Sequence, residues 1–519
     1  MKEVIIPAFE EENVKIGKEH EGSTVFQFSN VEKSAFDNYI KLLTDNGFTE
    51  KESFERDGHY FCALMGDGFS YFLNFYEGIS ELYIVKEQGI LYFEHACAME
   101  KAVCAPQITQ IALEDFGLSY VVKLSDGRYI IFDGGYDFEP DENKLYNYLK
   151  SDTQDAKPRI AAWILTHPHR DHFECFVGFM RLYGALVEVD ALYFNFPDGD
   201  DIEHFPGLAA GASETNARTY IGYLHDTIKE YSLKVYTPHT GQTYQIADAK
   251  CEILSCIDDT MHKTGDINST SLVIRMELAG QVIMWTADAT ASASNLAKKH
   301  GKYLKSDILQ IPHHGCSAGK DKPLIEAYEL ICPETCLLPA SHYYGMITYA
   351  IYIPTSNFVM TMPTTKEVIV GEPQRTITLP YTPKKEAKAE LEKSLLTSID
   401  HSGSRTWVFS GLNTANADDL SFDILNMTQR TSAVILIELF FTDRTQKIRN
   451  IKVEIESCTV KHISFNDNDL DSEWCYYNPG SLKKKGIVPN SPFAVRFMSN
   501  VPVVITNKNH KAAYYSINR

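Results

Sequence analysis

The feature that most constrains this chain is a short loop that carries four metal-binding side chains. Residues 166–172 read Thr-His-Pro-His-Arg-Asp-His and follow an apolar segment, 160–165, that is typical of a buried strand. Imidazole and carboxylate groups are the usual protein ligands of zinc and related divalent ions. A surface loop does not need such a dense set of ligands for solubility. We therefore expect His167 and His169 to bind one metal, and Asp171 and His172 to bind a neighbouring one.

Two later apolar segments end in further ligand types. Residues 282–287 read as a buried strand that delivers Asp288, a carboxylate that could bridge both metals, although an isolated aspartate there could also cap the following helix. Residues 308–312 lead into His313, His314 and a glycine. Adjacent histidines at the end of a strand are typical of metal ligands. The pattern by itself leaves open which of the two histidines binds.

In this order, the three motifs resemble those of the metallo-β-lactamase superfamily over about residues 105–380. Segments 268–274, 285–288 and 311–315 are similar to one branch, which contains the hydrolase domain of bacterial DNA-uptake competence proteins and phosphorylcholine esterase. The resemblance implies an αββα sandwich with two metals at the top of its sheets, and it implies that His313 faces the substrate. The implied metal ligands are His167 and His169 for the first metal, Asp171, His172 and His314 for the second, and Asp288 between them.

The sequence departs from the superfamily pattern at two places. Many members carry one more histidine between the metal loop and the bridging aspartate, and the histidines in that interval here lie in no recognisable ligand motif: His204, His225, His239 and His262. The usual glycine before the bridging aspartate is Ala287, which we expect to shift the backbone only slightly. Asp133, in an Asp-Gly-Gly turn, matches a position that braces the metal loop, although a simple turn former would fit equally well.

The length of 519 residues predicts roughly two to four domains. Residues 1–100 combine one amphipathic helix pattern with aromatic-rich strand patterns, which indicates a small α+β domain. Residues 101–383 alternate strand and helix patterns and form the predicted hydrolase domain. A charged helical linker is expected at 384–402, and 403–519 show short strand patterns typical of an all-β sandwich.

The last predicted domain resembles the sensory rhodopsin transducer family in several short patterns. These are Thr406-Trp-Val408 followed by Gly411, Ile424-Leu-Asn426, Phe441-Thr-Asp-Arg444, Phe465-Asn-Asp467 and the strand pattern 499–505. The resemblance implies a β-sandwich that self-associates and could bind a small ligand. We therefore expect a homo-oligomer held through this domain, with an unrelated accessory sandwich as the alternative.

Charge and apolar patterning exclude several classes of protein. A formal net charge of −20 and a pI near 5.3 provide no general basic surface for nucleic acid. The N-terminus turns acidic within a few residues, and no apolar run approaches the ~20 residues of a membrane-spanning helix. The 11 cysteines include no Cys-x-x-Cys pair. We expect a cytoplasmic protein without membrane or nucleic-acid partners.

These observations together predict a hydrolase with two divalent metals, zinc being expected and manganese or iron the alternatives. It would use a metal-bound hydroxide, and the branch resemblance favours a small-molecule phosphoester as substrate. Asp171 and His313 are the predicted catalytic residues, with His313 donating to the leaving group. The alternatives are a nuclease or phosphodiesterase that acts on nucleic acid, and a non-catalytic metal-binding sensor or scaffold.

Overall fold

The computed structural model describes most of the chain as two compact units. Described residues up to 384 form the first unit and those from 399 onward form the second. The predicted linker helix lies mostly outside the described residues, and the domain boundaries stay predictions. The described ranges are 14–20, 23–89, 97–113, 117–153, 157–197, 212–259, 267–289, 295–315, 325–339, 364–370, 374–384, 399–400, 403–413, 415, 417–426, 432–441, 449–465 and 492–507.

The N-terminal part of the first unit is an antiparallel sheet with one helix. Its elements are β1 (Val14–His20), β2 (Ser23–Ser29), α1 (Lys33–Asp45), β3 (Thr49–Arg56), β4 (His59–Gly66), β5 (Phe69–Tyr76) and β6 (Glu81–Gln88), in the sheet order β1-β2-β6-β5-β4-β3. Helix α1 buries Phe36, Tyr39 and Leu43, which lie on one helix face at this spacing. They share a core with Tyr71 and Leu73 of β5. The predicted α+β composition of this region is confirmed.

The other face of this sheet packs directly on the rest of the unit. The Phe72 ring stacks on the imidazole of His239, with 4.4 Å between the ring centroids. Gly241 has a φ of +95°, and a Cβ at this position would lie 2.2 Å from the ring of Phe61. Glycine therefore allows both the backbone conformation and the close approach of the two chain segments.

Buried ion pairs accompany this apolar contact. The Nδ1 atom of His239 lies 2.7 Å from Asp258, and its Nε2 atom contacts Glu87 of β6. Lys299 and Asp259 form a second buried pair. Burial disfavours the charged form of His239, but the carboxylates of Asp258 and Glu87 outweigh that effect and raise its pKa to about 10. His239 is therefore a cation at neutral pH that joins the N-terminal sheet to the following region.

Two mixed sheets form the centre of the first unit. The first contains β7 (Gln107–Gln110), β8 (Ser119–Lys123), β9 (Tyr129–Asp133), β10 (Arg159–Ile164), β11 (Glu188–Val189), β12 (Leu192–Tyr193), β13 (Val235–Tyr236) and β21 (Arg375–Thr378). The second contains β14 (Thr243–Ile246), β15 (Ala249–Ser255), β16 (Val273–Leu278), β17 (Gln281–Trp285), β18 (Ile308–Gln310), β19 (Thr335–Leu338) and β20 (Glu367–Val370). Their orders are β13-β12-β10-β9-β8-β7-β21, with β11 beside β10, and β14 to β20 in sequence.

The two sheets face each other across one apolar core. Trp285 of β17 stacks on Phe132 of β9 at 4.2 Å and meets Tyr120 of β8 edge-on at 5.3 Å. Helices α2 (Glu139–Thr153), α3 (Arg170–Tyr183) and α4 (Ala212–Tyr231) share a second core with the first sheet, and the shorter α5 (Leu296–His300) and α6 (Ile325–Ile331) follow strands of the second sheet. The predicted sandwich of two sheets with helices is confirmed.

The second unit is all-β. Its strands are β22 (Ile399–Asp400), β23 (Gly403–Asn413), β24 (Ser421–Asn426), β25 (Ala433–Phe441), β26 (Arg449–Ile455), β27 (Thr459–Ser464) and β28 (Pro492–Asn507). The long strand β28 pairs with β25 through its first half and with β24 through its second half. Side chains of these strands, including Phe409, Phe422 and Phe497, enclose one core. The predicted all-β character is confirmed.

None of the described helices is long and apolar enough to cross a membrane.

The buried pairing of His239 predicts a specific pH dependence of stability. Its folded pKa of about 10 lies above the unfolded value of about 6.5, so the stabilisation is fully present below pH ~6.5 and disappears as the pH rises through 10. We expect His239→Gln to lower the free energy of unfolding by about 3–5 kcal/mol near pH 6.5 and by much less near pH 10. Urea unfolding between these pH values measures the difference.

His462→Gln is the matched control. His462 and Asp423 form an exposed pair at 2.7 Å in the second unit, and such pairs contribute at most about 1 kcal/mol. An equal loss of stability in both variants at every pH would contradict the role assigned to His239.

Candidate metal centre

The ligand-bearing loops converge because of how their strands are arranged. The loop 166–172 follows β10, Asp288 follows β17, and the His313-His314 pair follows β18. Strands β17 and β18 are parallel neighbours, so their carboxyl ends lie at the same edge of the second sheet. Strand β9, which ends at Asp133, is the parallel neighbour of β10 in the first sheet. All predicted ligands therefore meet at one edge of the sandwich.

One group of four donors has the spacing of a tetrahedral metal site. His314 Nε2 lies 3.2 Å from Asp171 Oδ2, 3.5 Å from Asp288 Oδ2 and 3.2 Å from His172 Nε2, and the last atom lies 3.3 Å from Asp288 Oδ2. Metal bonds of about 2.0–2.2 Å in a tetrahedral site separate the ligand atoms by about 3.3–3.6 Å. His172 Nε2 and Asp171 Oδ2 lie 3.8 Å apart, so the four side chains come close to the spacing of a divalent metal site.

A second group consists of His167, His169 and Asp288, whose ligand atoms lie within 4.8 Å of one another. His167 Nε2 is 4.0 Å from Asp288 Oδ2. Among the described residues, this Nε2 atom and Asp288 Oδ1 are buried without a hydrogen-bond partner, which is costly unless another group binds them. A metal would fit here, and three protein ligands are typical of a zinc site that leaves one position open for catalysis.

The two groups have opposite electrostatics. Burial disfavours protonation of His172, but the carboxylates of Asp288, Asp133 and Asp171 outweigh it and raise the pKa of His172 to about 10. His167 shows the reverse, because burial and neighbouring imidazoles hold its pKa well below the usual range. In the metal-free chain the four-residue group therefore holds protons, which a metal would displace.

Buried partners orient the histidines of the four-residue group. His172 Nδ1–H donates to Asp133 Oδ2 at 2.7 Å, and the same carboxylate accepts hydrogen bonds from the N–H and hydroxyl of Thr166 at 2.8 and 2.7 Å. His314 Nδ1–H donates to the carbonyl of Pro339 at 2.7 Å. Each contact points Nε2 of the ring toward the metal position. Asp133 thus contacts the metal loop as the superfamily resemblance implied.

An uncommon backbone turn at His313 and His314 directs the two adjacent side chains to different places. His313 and His314 have φ values of +53° and +50°, a left-handed conformation that costs about 1–2 kcal/mol per residue outside glycine. The backbone N–H of His313 donates to the carbonyl of Ala287 at 3.0 Å. As a result, His314 enters the four-residue group, whereas the half-buried His313 lies beside it with Nε2 4.0 Å from Asp288 Oδ2.

Comparison with known proteins agrees with this architecture. Residues 112–232 match the family model of the metallo-beta-lactamase superfamily. The matched range includes the metal loop 166–172. No curated protein matches it.

Three solved structures show similarity to parts of the chain. Human tRNase Z, short form, is 14% identical over 53% of this chain and 100% of its own, with a TM-score of 0.31. A beta-lactamase domain protein from Burkholderia ambifaria is 11% identical over 56% of this chain and 72% of its own, with a TM-score of 0.25. The Anabaena sensory rhodopsin transducer is 20% identical over 20% of this chain and 82% of its own, with a TM-score of 0.16.

The histidine that many metallo-β-lactamase superfamily members add is not supplied by the described histidines of the interval. His239 is held between Glu87 and Asp258, and the ring of His225 lies 6.3 Å from that of Phe194. Neither belongs to a metal-ligand group of described residues. His204 and His262 lie outside the described residues.

Sequence reasoning missed Gln310, the last residue of β18. Its side-chain oxygen accepts hydrogen bonds from the N–H groups of Thr286 and Ala287 at 2.9 and 2.6 Å, and its amide donates to the carbonyls of Ala287 and Ile311 at 3.2 and 2.7 Å. Ala287 has a φ of +46° where many superfamily members have glycine. Gln310 therefore fixes the turn that presents Asp288. A buried amide within an apolar strand was the available signal.

We expect Gln310→Met to weaken metal binding by about 10- to 100-fold, because the turn before Asp288 would lose its side-chain hydrogen bonds. Competition with a chromogenic zinc chelator measures the affinity. Gln281→Met is the matched control, because Gln281 exchanges two hydrogen bonds with the backbone of Tyr381 outside the ligand loops. Unchanged zinc affinity in Gln310→Met would show that the turn does not depend on this amide.

Proposed function

We propose that this metal-dependent hydrolase binds two divalent metals and cleaves phosphoesters of small molecules. One observation carries the proposal: two groups of mostly buried candidate ligands share the carboxylate of Asp288, and an imidazole outside both groups, that of His313, lies beside it. Sites with two adjacent metals are typical of enzymes that stabilise the attacking and leaving oxygens of a displacement reaction together. A vestigial sensor or scaffold would not need to keep both ligand groups.

The ligands would be His167 and His169 for one metal, Asp171, His172 and His314 for the other, and Asp288 for both. Bound metals would lower the pKa of a water molecule and neutralise charge that develops on the substrate. Imidazole and carboxylate ligands favour zinc, and manganese or iron remain alternatives.

Two side chains would act on protons. Asp171 is the more exposed carboxylate of the four-residue group, at 14% for its side chain against 2% for Asp288, so it faces the side from which water arrives. It could accept a proton from the attacking water. His313 would donate a proton to the leaving oxygen, because its Nε2 atom lies next to the shared carboxylate without belonging to either ligand group.

The substrate class rests on resemblance and charge. Segments 268–274, 285–288 and 311–315 are similar to the competence-protein and phosphorylcholine-esterase branch, which handles phosphoesters. A net charge of −20 opposes binding of a polyanion, so a small phosphoester fits better than nucleic acid. We also propose a cytoplasmic protein that associates through residues 403–519, as the transducer-family resemblance implies.

Metal content tests the two-metal proposal. We expect about two divalent metals per chain, and Asp171→Asn should retain about one because only the four-residue group loses a ligand. Asp288→Asn should weaken both sites, since both groups share this carboxylate. Elemental analysis after gel filtration measures the occupancy, and Asp190→Asn, at a carboxylate outside both groups, is the control. Native protein that takes up no zinc, manganese or iron would disprove the proposal.

Substrate specificity is tested on phosphomonoesters, phosphodiesters, a lactam and a thioester. We expect turnover of a small phosphoester, and His313→Ala should lower kcat by about 100-fold with its metals retained. His314→Ala should instead lose metal, and His225→Ala, at an exposed histidine, should change neither property. Activity should depend weakly on salt, whereas a nuclease would lose orders of magnitude in affinity between about 50 and 200 mM. Turnover of only the lactam or the thioester would contradict the phosphoester assignment.

A further inference from the structure

A short helical turn that contains Asn268 is fixed between two ligand-bearing loops. The carbonyl of Asn268 accepts a hydrogen bond from the N–H of Ser271 at 3.2 Å, and the hydroxyl of Ser271 accepts one from the N–H of Asp288 at 3.3 Å. The N–H of Leu272 donates to the carbonyl of Thr166 at 3.0 Å. The backbone of Asn268 is thereby positioned relative to both the metal loop and the shared carboxylate.

The side chain of Asn268 meets His313 at this place. Its Nδ2 atom lies 3.5 Å from His313 Nε2, which in turn lies 4.0 Å from Asp288 Oδ2. Asn268 is 5% exposed, and the backbone of His313 is held by its hydrogen bond to the carbonyl of Ala287. The two side chains come from separate loops and converge beside the shared carboxylate.

Their chemistry matches one oxygen atom of an anion. The amide carries two N–H donors, and an imidazole donates through Nε2 when that nitrogen is protonated. Two nitrogen atoms 3.5 Å apart can both lie about 2.9 Å from one oxygen acceptor. Metals bound to Asp288 would offset its negative charge, which would otherwise repel an anion.

We propose that the Asn268 amide and the His313 imidazole together bind one oxygen of a tetrahedral oxyanion, the phosphate group of the substrate, and that this is the oxygen to which His313 donates. The proposal rests on the proposed function in that the bound metals belong to the same site. It assigns Asn268, for which the sequence motifs indicated no role, to substrate binding.

Two roles of Asn268 can be distinguished by substitution: donation of a hydrogen bond to phosphate, and orientation of the His313 ring. If Asn268 only oriented the ring of His313, Asn268→Asp would preserve that role, because a carboxylate on a side chain of the same size can accept a hydrogen bond from the Nε2–H of the ring. If the amide donates to phosphate, the same substitution removes the donor and adds a negative charge, whereas Asn268→Ala removes the donor alone. The order of phosphate affinity, Asn above Ala above Asp, is therefore the signature of an anion site.

The experiment is calorimetric titration of the zinc-loaded, full-length protein with inorganic phosphate, with metal content measured on the same samples. We expect affinity to fall about 10-fold in Asn268→Ala and about 100-fold in Asn268→Asp, with zinc retained. His313→Ala should match Asn268→Ala. Protein stripped of metal should bind phosphate much more weakly, because only imidazole protons then offset the carboxylate of Asp288.

Asn74→Asp is the matched control, because Asn74 makes another buried contact with a histidine, 2.9 Å from His59 Nε2, in the N-terminal sheet. The phosphate affinity of the Asn74→Asp variant should equal that of the unchanged protein. Unchanged phosphate affinity in Asn268→Asp, loss of zinc in Asn268→Ala, or no binding of phosphate by the zinc-loaded protein would each overturn the proposal. If phosphate affinity follows the expected order but no phosphoester is hydrolysed, the anion site stands and the proposed function fails.

Discussion

The carboxylate of Asp288 is the group on which the rest of the site depends. Its Oδ2 atom lies within 4.0 Å of four imidazole Nε2 atoms, those of His167, His172, His313 and His314. No other described carboxylate belongs to both ligand groups. A small displacement of this side chain would therefore alter both ligand groups and the contact with His313 together. That dependence explains why the preceding turn is held by the buried amide of Gln310 despite the left-handed conformation of Ala287.

In the metal-free site, several carboxylates lie close together in a buried place. Their mutual repulsion would drive them apart if the surrounding sandwich were not rigid. Asp133, Asp171 and Asp288 surround His172, which is fully buried, and buried like charges are costly unless opposite charges lie nearby. Protons on the imidazoles offset part of this cost, and divalent metals would offset more of it. The stacked Trp285 and Phe132 pack in the core between the two sheets, which limits relaxation of the strands that carry the ligands. Packing and charge therefore act together to keep the ligands converged.

Sequence patterns identified residues that the structure brings together in the two groups, because each of these residues follows a short apolar strand in a local motif. The loop 166–172, Asp288 and the His313-His314 pair could be identified from neighbouring residues alone. Long-range contacts could not be identified from neighbouring residues. Gln310 binds a turn 23 residues earlier, and Asn268 contacts a histidine 45 residues later. The left-handed turn that separates the side chains of His313 and His314 is likewise a backbone property, and the residue types at this place do not predict it. Periodicity indicates which face is buried, but not which distant backbone group a buried amide will reach.

The N-terminal sheet is connected to the two ligand groups by a series of contacts that runs through His239. Glu87 and Asp258 hold His239, and the turn that contains Asp258 contacts the turn that contains Asn268. Removal of the sheet would expose the imidazole of His239, on which Phe72 stacks, and would take away Glu87, one of the two carboxylates that compensate the His239 cation. The cost would fall on the turn that contains Asn268 rather than on a remote surface. The N-terminal sheet is therefore structurally part of the unit that carries both ligand groups, although its sequence carries no ligand motif of its own.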